Sequence, residues 1–301
     1  MSSIELASPA QQHVPACPLC GSTQSAYAFS ERDYRLQRCQ HCDLFYIWPY
    51  PEQIEQHTRV KTYDYENLDI STPETYRRSQ TYYYNSLFPK IRSFYSGAKR
   101  VLDVGVGAGN LLQLLVEHAP QAELYGIELN AERAAYVRRQ ARATIYERSI
   151  LDFETPLRFD VVSLINVFSH VPVTRLFDKL VALLEPTGYL ILKVSEMQPT
   201  VTRSDYHDWE IPDHIQFLGM GTIDYLARRW GLSVALHERV LIADAMFTPT
   251  RFAAPGRSRL RNGMKRLAIT VPFALPAARM AYKLWKGERF YTSLVVLQRG
   301  N

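Results

Sequence analysis

Residues 101–112, Val-Leu-Asp-Val-Gly-Val-Gly-Ala-Gly-Asn-Leu-Leu, constrain the fold more than any other stretch of the chain. A short apolar run ends in an acid, enters a Gly-x-Gly-x-Gly turn and continues as helix-compatible sequence. That order predicts a strand, a tight loop and a helix N-terminus, the usual seat of a nucleoside-bearing ligand. Gly105, Gly107 and Gly109 allow the sharp turn and a close ligand approach, because no Cβ stands in the way. Further on, Leu124-Tyr125-Gly126-Ile127-Glu128 ends a second apolar strand in a carboxylate. Glu128 can accept hydrogen bonds from both hydroxyls of a ribose.

The spacing separates two nucleotide folds. Dinucleotide enzymes carry G-x-G-x-x-G, whereas here the pattern is G-x-G-x-G preceded by Asp103. The segment therefore resembles the class I S-adenosylmethionine (SAM) methyltransferases, and the resemblance implies that the Asp103 region and the glycines hold the methionine part of SAM. Downstream motifs follow in order. Glu128-Leu129 stands at the ribose position, and Ser149-Ile150-Leu151-Asp152 resembles the adenine-binding turn. Phe159 to Pro172 resembles the fourth strand and its active-site loop, with Asn166 at the strand end. Leu184 to Val194 resembles the turn and fifth strand that follow. The implied architecture is α/β and Rossmann-like: a seven-stranded, mostly parallel sheet whose last strand is antiparallel. SAM is the implied cofactor.

The four cysteines form one pattern, Cys17-Pro-Leu-Cys20 and Cys39-Gln-His-Cys42. Two C-x2-C knuckles at this separation predict a zinc ribbon, since four thiolates complete a tetrahedral shell with no open position. The expected Zn2+ is structural, and His41 is expected to face solvent. The chain then divides into a zinc-ribbon module (1–50), an aromatic linker with a helical lid (51–97) and a SAM-binding catalytic domain (98–301). A basic helical insertion is expected at 249–289. In the linker and lid, apolar residues recur at helical spacing from Glu74 to Tyr95. Eight of the nineteen tyrosines fall between Tyr46 and Tyr84. Single rings there are ordinary packing elements. As a group they predict at least one cofactor contact, with Tyr65 and Tyr76 the candidates, because an aromatic face stabilises a sulfonium cation.

Two loops at the carboxyl ends of the strands supply the candidate catalytic groups. His170 follows the fourth strand. Zinc-ribbon methyltransferases of natural-product and surface-sugar pathways, which this chain resembles, carry Glu-His at this place, whereas the chain has Ser169-His170. The missing acid weakens the transfer of a base role. The stretch from Ser204 to His214 follows the fifth strand and offers Tyr206, His207 and His214 for binding or deprotonating an acceptor. The loop after the fourth strand, Asn166 to Pro172, lacks the Asn/Asp-Pro-Pro-aromatic motif of amino methyltransferases acting on bases or glutamine, which argues against those substrates.

Charge is localised. Residues 251–290 carry ten Lys or Arg against one acid, Glu288, so this segment is +9 and the remainder −4 within a total of +5. A basic amphipathic helix can meet a membrane, an acidic carrier or nucleic acid. The plainer reading has a solvated basic face and an apolar side buried in the enzyme or in a homo-oligomer built through the C-terminal helices. Nucleic acid is disfavoured, because the aromatics do not alternate with the basic residues. The sequence holds no run of apolar residues long enough for a transmembrane segment and no secretory leader pattern, so a cytoplasmic enzyme is expected.

Three functions remain open at this level. The first is methyl transfer to a small molecule or carrier-bound metabolite in secondary metabolism. The second is intramolecular consumption of SAM, as in the similar azetidine-2-carboxylate synthases, which release methylthioadenosine. The third is a non-catalytic SAM-binding module.

Overall fold

A computed structural model describes residues 16–51, 72–203, 211–241, 259–286 and 290–300. Two sheets organise these residues. The larger has seven strands in the order β10-β11-β8-β7-β4-β5-β6: β4 (Arg100–Val104), β5 (Glu123–Ile127), β6 (Thr144–Tyr146), β7 (Phe159–Ile165), β8 (Leu184–Met197), β10 (Leu232–Leu241) and β11 (Phe290–Arg299). β6, β5, β4, β7 and β8 pair in parallel, and β11 lies antiparallel between β8 and β10. The parallel interior explains the unbroken apolar runs. Val101, Leu102 and Val104 on β4 are buried, as are Val161, Val162, Leu164 and Ile165 on β7, because helices cover both faces.

One face is covered by α1 (Pro73–Ile91), α2 (Asn110–His118) and α3 (Ala131–Gln140). The other carries α4 (Val173–Leu183) and α5 (Thr222–Trp230). Helix α4 shows why the sequence folds this way. Val173, Leu176, Phe177, Leu180 and Leu183 recur at steps of three and four, and all are buried. Helix α1 opens on a reciprocal cap between Thr72 and Thr75 with Pro73 in the first turn. Its buried residues are Leu87, Phe88 and Ile91, which seat it on the sheet. A 3₁₀ turn (Arg92–Tyr95) completes the stretch expected to be helical.

The smaller sheet holds β1 (Ser25–Glu31), β2 (Tyr34–Cys39), β3 (Phe45–Trp48) and a fourth strand from far along the chain, β9 (Gln216–Phe217). β9 pairs antiparallel with β3, Phe45 opposite Phe217 and Tyr46 opposite Gln216. The ribbon is therefore not a pendant module. Further bonds fix it to the larger body. The Pro18 carbonyl accepts from Thr174 Oγ1 at 2.6 Å, that of Leu19 accepts from Arg229, and Asp43 Oδ2 accepts from Gly221 N at 3.0 Å.

The basic insertion forms a helical hairpin, α6 (Arg259–Thr270) and α7 (Ala274–Lys286). Its expected burial against the enzyme is corrected by the structure. Met264, Leu267, Val271, Phe273, Met280, Leu284 and Trp285 are exposed. Among the described residues no helix is long and apolar enough to cross a membrane.

Candidate functional site

The β4–α2 turn is built by its glycines. Gly105, Gly107 and Gly109 all have positive φ (75°, 58° and 81°). A Cβ on Gly105 would stand 2.3 Å from Val167 Cγ2, so the β7 loop closes directly over the turn. The amides of Gly105 and Val106 both donate to the Ile127 carbonyl, at 2.8 and 3.1 Å, which ties the turn to the end of β5. Gly109 caps α2, whose first amides and positive dipole end face the edge where an anionic ligand group is favoured.

Two buried carboxylates flank this turn. Asp103 accepts from Ser163 Oγ at 3.0 Å. Burial pushes its carboxyl up to about 7, against the Ser163 hydroxyl, and the charge of Glu128 adds to the rise. Glu128 accepts from Gly107 N at 2.8 Å through Oε2 and from Asn130 N at 2.9 Å through Oε1. Each oxygen keeps a second lone pair for a ligand hydroxyl. Burial raises the Glu128 carboxyl, and the amides of Asn130, Gly107 and Leu129 partly offset it. Leu129, half-buried, continues from this acid.

Farther along the same edge, the turn after β6 folds on itself, with Leu151 N donating to Ser149 Oγ at 3.1 Å and Asp152 N to the Ser149 carbonyl at 3.2 Å. Leu151 is half-buried and the Asp152 side chain is exposed. Asn166, at the end of β7, has a left-handed backbone (φ 59°), and its side-chain amide lies 3.4 Å from Tyr83 OH on α1. Tyr76, one of the two tyrosines singled out in the sequence, reaches the glycine turn: its Cε1 lies 3.4 Å from where a Gly107 Cβ would stand. Arg133 covers the Tyr76 ring at 4.9 Å. Asn110 Nδ2 donates to the Arg77 carbonyl at 3.0 Å, clamping α1 to the first turn of α2. Tyr65, Tyr206 and His207 lie outside the described residues.

His170 and His214 come together, their ring centroids 4.6 Å apart. Between them stands a residue that reading by motif passed over. The His170 Nδ1 lies 3.1 Å from the Asp213 carbonyl and 3.4 Å from Asp213 Oδ2. A carbonyl can only accept, so the tautomer is assigned with Nδ1 as the donor of this bond. The carboxylate absent beside His170 in sequence is thus supplied from 43 residues downstream. The ligand-capable atoms of His170, Asp213 and His214 lie within 4.8 Å of one another, a donor set that would also accept a divalent cation. Gln216 fixes the arrangement: its buried Nε2 donates to the carbonyls of Phe168 (2.9 Å) and Val171 (2.7 Å), on either side of His170. Ile215 N adds a bond to the Ser169 carbonyl at 2.8 Å.

The four cysteine sulfurs also lie within 4.8 Å of one another, with Cys17–Cys42 and Cys20–Cys39 each at 3.5 Å. Zinc bonded tetrahedrally to sulfur at ~2.3 Å needs sulfur–sulfur edges of about 3.8 Å, so these residues fit the metal. His41 is exposed, as expected.

Comparison with known proteins agrees with this geometry. Residues 76–237 match the family described as "Methyltransferase domain". The chain is 35% identical over 104 residues to a trans-aconitate 2-methyltransferase of Rhodopseudomonas palustris (strain BisB18), covering 33% of this chain and 39% of that protein. It is 32% identical over 76 residues to the enzyme of the same name from Afipia carboxidovorans, covering 25% and 30%. The chain thus spans about two fifths or less of the length of these curated relatives. Among solved structures, the fold resembles a phosphoethanolamine N-methyltransferase 2 of Haemonchus contortus bound to S-adenosylhomocysteine (TM-score 0.56, 14% identity, 77% of this chain and 58% of that one). It also resembles a putative sarcosine dimethylglycine methyltransferase of Galdieria sulphuraria (TM-score 0.51, 13% identity, 83% and 91%).

Proposed function

The chain belongs to the methyltransferase-domain family, and on that premise we propose that it transfers a methyl group from SAM to a small-molecule or carrier-bound acceptor in a biosynthetic pathway. One observation carries the reading: the glycine turn, Glu128 and the Nε2 of His170 belong to loops that leave the same carboxyl edge of the parallel sheet. Bound SAM supplies an electrophilic methyl carbon already activated by its sulfonium. The protein's tasks are then to hold the cofactor, align the nucleophile and exclude water.

Asp103 and the Gly105–Gly109 turn take the methionine end, with the α2 N-terminus favouring its carboxylate. Glu128 and Leu129 take the ribose, and Leu151 and Asp152 take the adenine. Asn166 and Tyr76 flank the reacting centre, and Tyr65 is a further candidate for a cofactor contact. His170 accepts the acceptor's proton at Nε2. The Asp213 carbonyl fixes its tautomer, and the Asp213 carboxylate stabilises the imidazolium that forms. His214 lines the acceptor side, and Tyr206 is a further candidate for binding or deprotonating the acceptor. The cysteine site holds structural Zn2+.

The relatives are named for trans-aconitate, so carboxylate-bearing acceptors head the screen. A carboxylate would need no base, whereas a hydroxyl or carbon acid would. The test incubates purified protein with SAM, alone and with acceptors, and resolves the products by mass spectrometry. S-adenosylhomocysteine (SAH) formed only alongside an acceptor supports transfer. Methylthioadenosine from SAM alone would replace it with the cyclisation reading, which the family match does not favour. His170→Gln that binds SAH normally yet keeps full turnover of a hydroxyl acceptor would remove the base.

A further inference from the structure

Lys193 is the buried cation of the catalytic sheet. It sits on β8 opposite Ile165, the last residue of β7, and its carbonyl accepts from Asn166 N at 2.8 Å. Register places it precisely enough to name its face. Asp103 pairs with Ser163, and Ser163 with Ile191, so their side chains share one face, and Lys193 two residues on shares it too. That face is the one covered by the lid helix α1. Lys193 lies at the carboxyl edge, two strands or about 10 Å across from the Asp103 strand.

The residue is 7% exposed, and among the described residues no hydrogen bond or ion pair reaches its ammonium. Among the described residues, the charges that act on it are Lys90 on α1 and Glu238 on β10, and these two pair with each other. An amine on so buried a residue is costly to charge, and the ordinary outcome is a leucine or valine at such a position. Burial, with a further contribution from Lys90 and against Glu238, brings this amine down to about 7.

We propose that Lys193 is the anion-binding group of the acceptor pocket, receiving a carboxylate of the methyl acceptor beneath α1, beside Asn166 and Tyr83. The proposal rests on the methyltransferase reading and adds the class of acceptor. An anion arriving at a partly deprotonated amine must draw a proton onto it, so binding and proton uptake are linked.

The test titrates SAH-saturated protein with citrate and with succinate near pH 8, in two buffers of different ionisation enthalpy. The expected result is carboxylate binding with uptake approaching one proton. Lys193→Met should weaken binding at least about tenfold and abolish the uptake, because a charged hydrogen-bond partner is lost. Lys193→Arg should keep the binding without the uptake, since its guanidinium is always charged. Absence of carboxylate binding at millimolar concentration, or equal binding by Lys193→Met, overturns the proposal. SAH affinity is measured in the same experiment. If SAH itself fails to bind, it is the methyltransferase reading that falls.

The α6–α7 hairpin carries a second inference independently. Seven of the eleven exposed large apolar side chains among the described residues lie between Met264 and Trp285. They sit within the segment that holds ten basic residues and one acid. Exposed apolar side chains with a tryptophan, on helices whose sequence is basic, match the chemistry of an anionic lipid interface. We infer that the hairpin docks on such a surface. Co-sedimentation with phosphatidylcholine vesicles, with and without phosphatidylglycerol, reads this directly. Binding should require the anionic lipid, weaken with salt and fall in Leu284→Ser/Trp285→Ser, with SAH affinity unchanged. No binding to the anionic vesicles overturns it, as does a dimer in light scattering that the same substitutions dissociate, since a second copy would then cover the face.

Discussion

Asp103→Asn tests whether a buried carboxylate has been kept for ligand binding at the expense of stability. In the folded chain its carboxyl sits at about 7 against a usual 3.8. The folded state therefore holds this proton over a range in which the unfolded chain has released it. Folded protein binds more protons between roughly pH 4 and pH 7, so stability falls as pH rises through that window. About three pH units at ~1.36 kcal/mol each set a ceiling of about 4 kcal/mol above pH 7. The Asn amide offsets part of the gain, because its new N–H donors leave a buried group unpaired at about 1–3 kcal/mol. The net expectation is a variant about 1–3 kcal/mol more stable near pH 8, with the advantage shrinking as pH falls toward 5. Urea unfolding of both proteins across that range measures the difference directly, and contributions common to both cancel. The same variant should bind SAH more weakly by about 1.5–3 kcal/mol, the worth of a hydrogen bond to a charged group. A difference in stability independent of pH would refute the reasoning, as would unchanged SAH binding.

Three further outcomes follow from the geometry. Gly105→Ala drives a methyl group to 2.3 Å from Val167 Cγ2 at a positive φ, so it should cost at least about 1–3 kcal/mol and abolish SAH binding by calorimetry. Gln216→Leu strips the carbonyls of Phe168 and Val171 of a buried donor, at about 2–5 kcal/mol. It should lower Tm and kcat while leaving SAH affinity near normal, and loss of SAH affinity in proportion to kcat would argue against a local effect on His170. Stripping zinc with a mercurial, followed by metal analysis and turnover assay, should reduce acceptor turnover before it reduces SAH binding, because β3 pairs with β9 beside the histidines.

The cofactor edge was legible in sequence because backbone geometry dictates its residues. Positive φ at three positions demanded glycine, and the end of β5 presented its acid in line. Around the two histidines that the sequence offered, His170 and His214, the supporting contacts were not legible. His170 and Asp213 are brought together by folding across 43 residues, and the Asp213 carbonyl that orients the ring has no side-chain signature. β9 is two residues long, too short for any periodicity to announce it. Gln216 carries no signature of its own either, although its two bonds set the 168–171 turn. Lys193 was hidden for another reason: it interrupts a strand of leucine, isoleucine and valine, and only sheet register shows that it faces the lid. The hairpin's apolar stripe was readable, but not that it would remain uncovered.

The strand that residues 216–217 add to the ribbon sheet bears on how such a chain could be inherited or recombined. A zinc ribbon at a terminus looks like a cassette that an ancestor could gain or shed. Here the edge of that ribbon is completed by Gln216 and Phe217, and Ile47 N reaches the Ile215 carbonyl at 3.0 Å. A chimera that exchanged the ribbon alone would present a foreign strand edge to the loop that seats His214. Viable crossovers would have to carry the ribbon and residues 211–218 together, two segments far apart in the gene that form one unit in the fold.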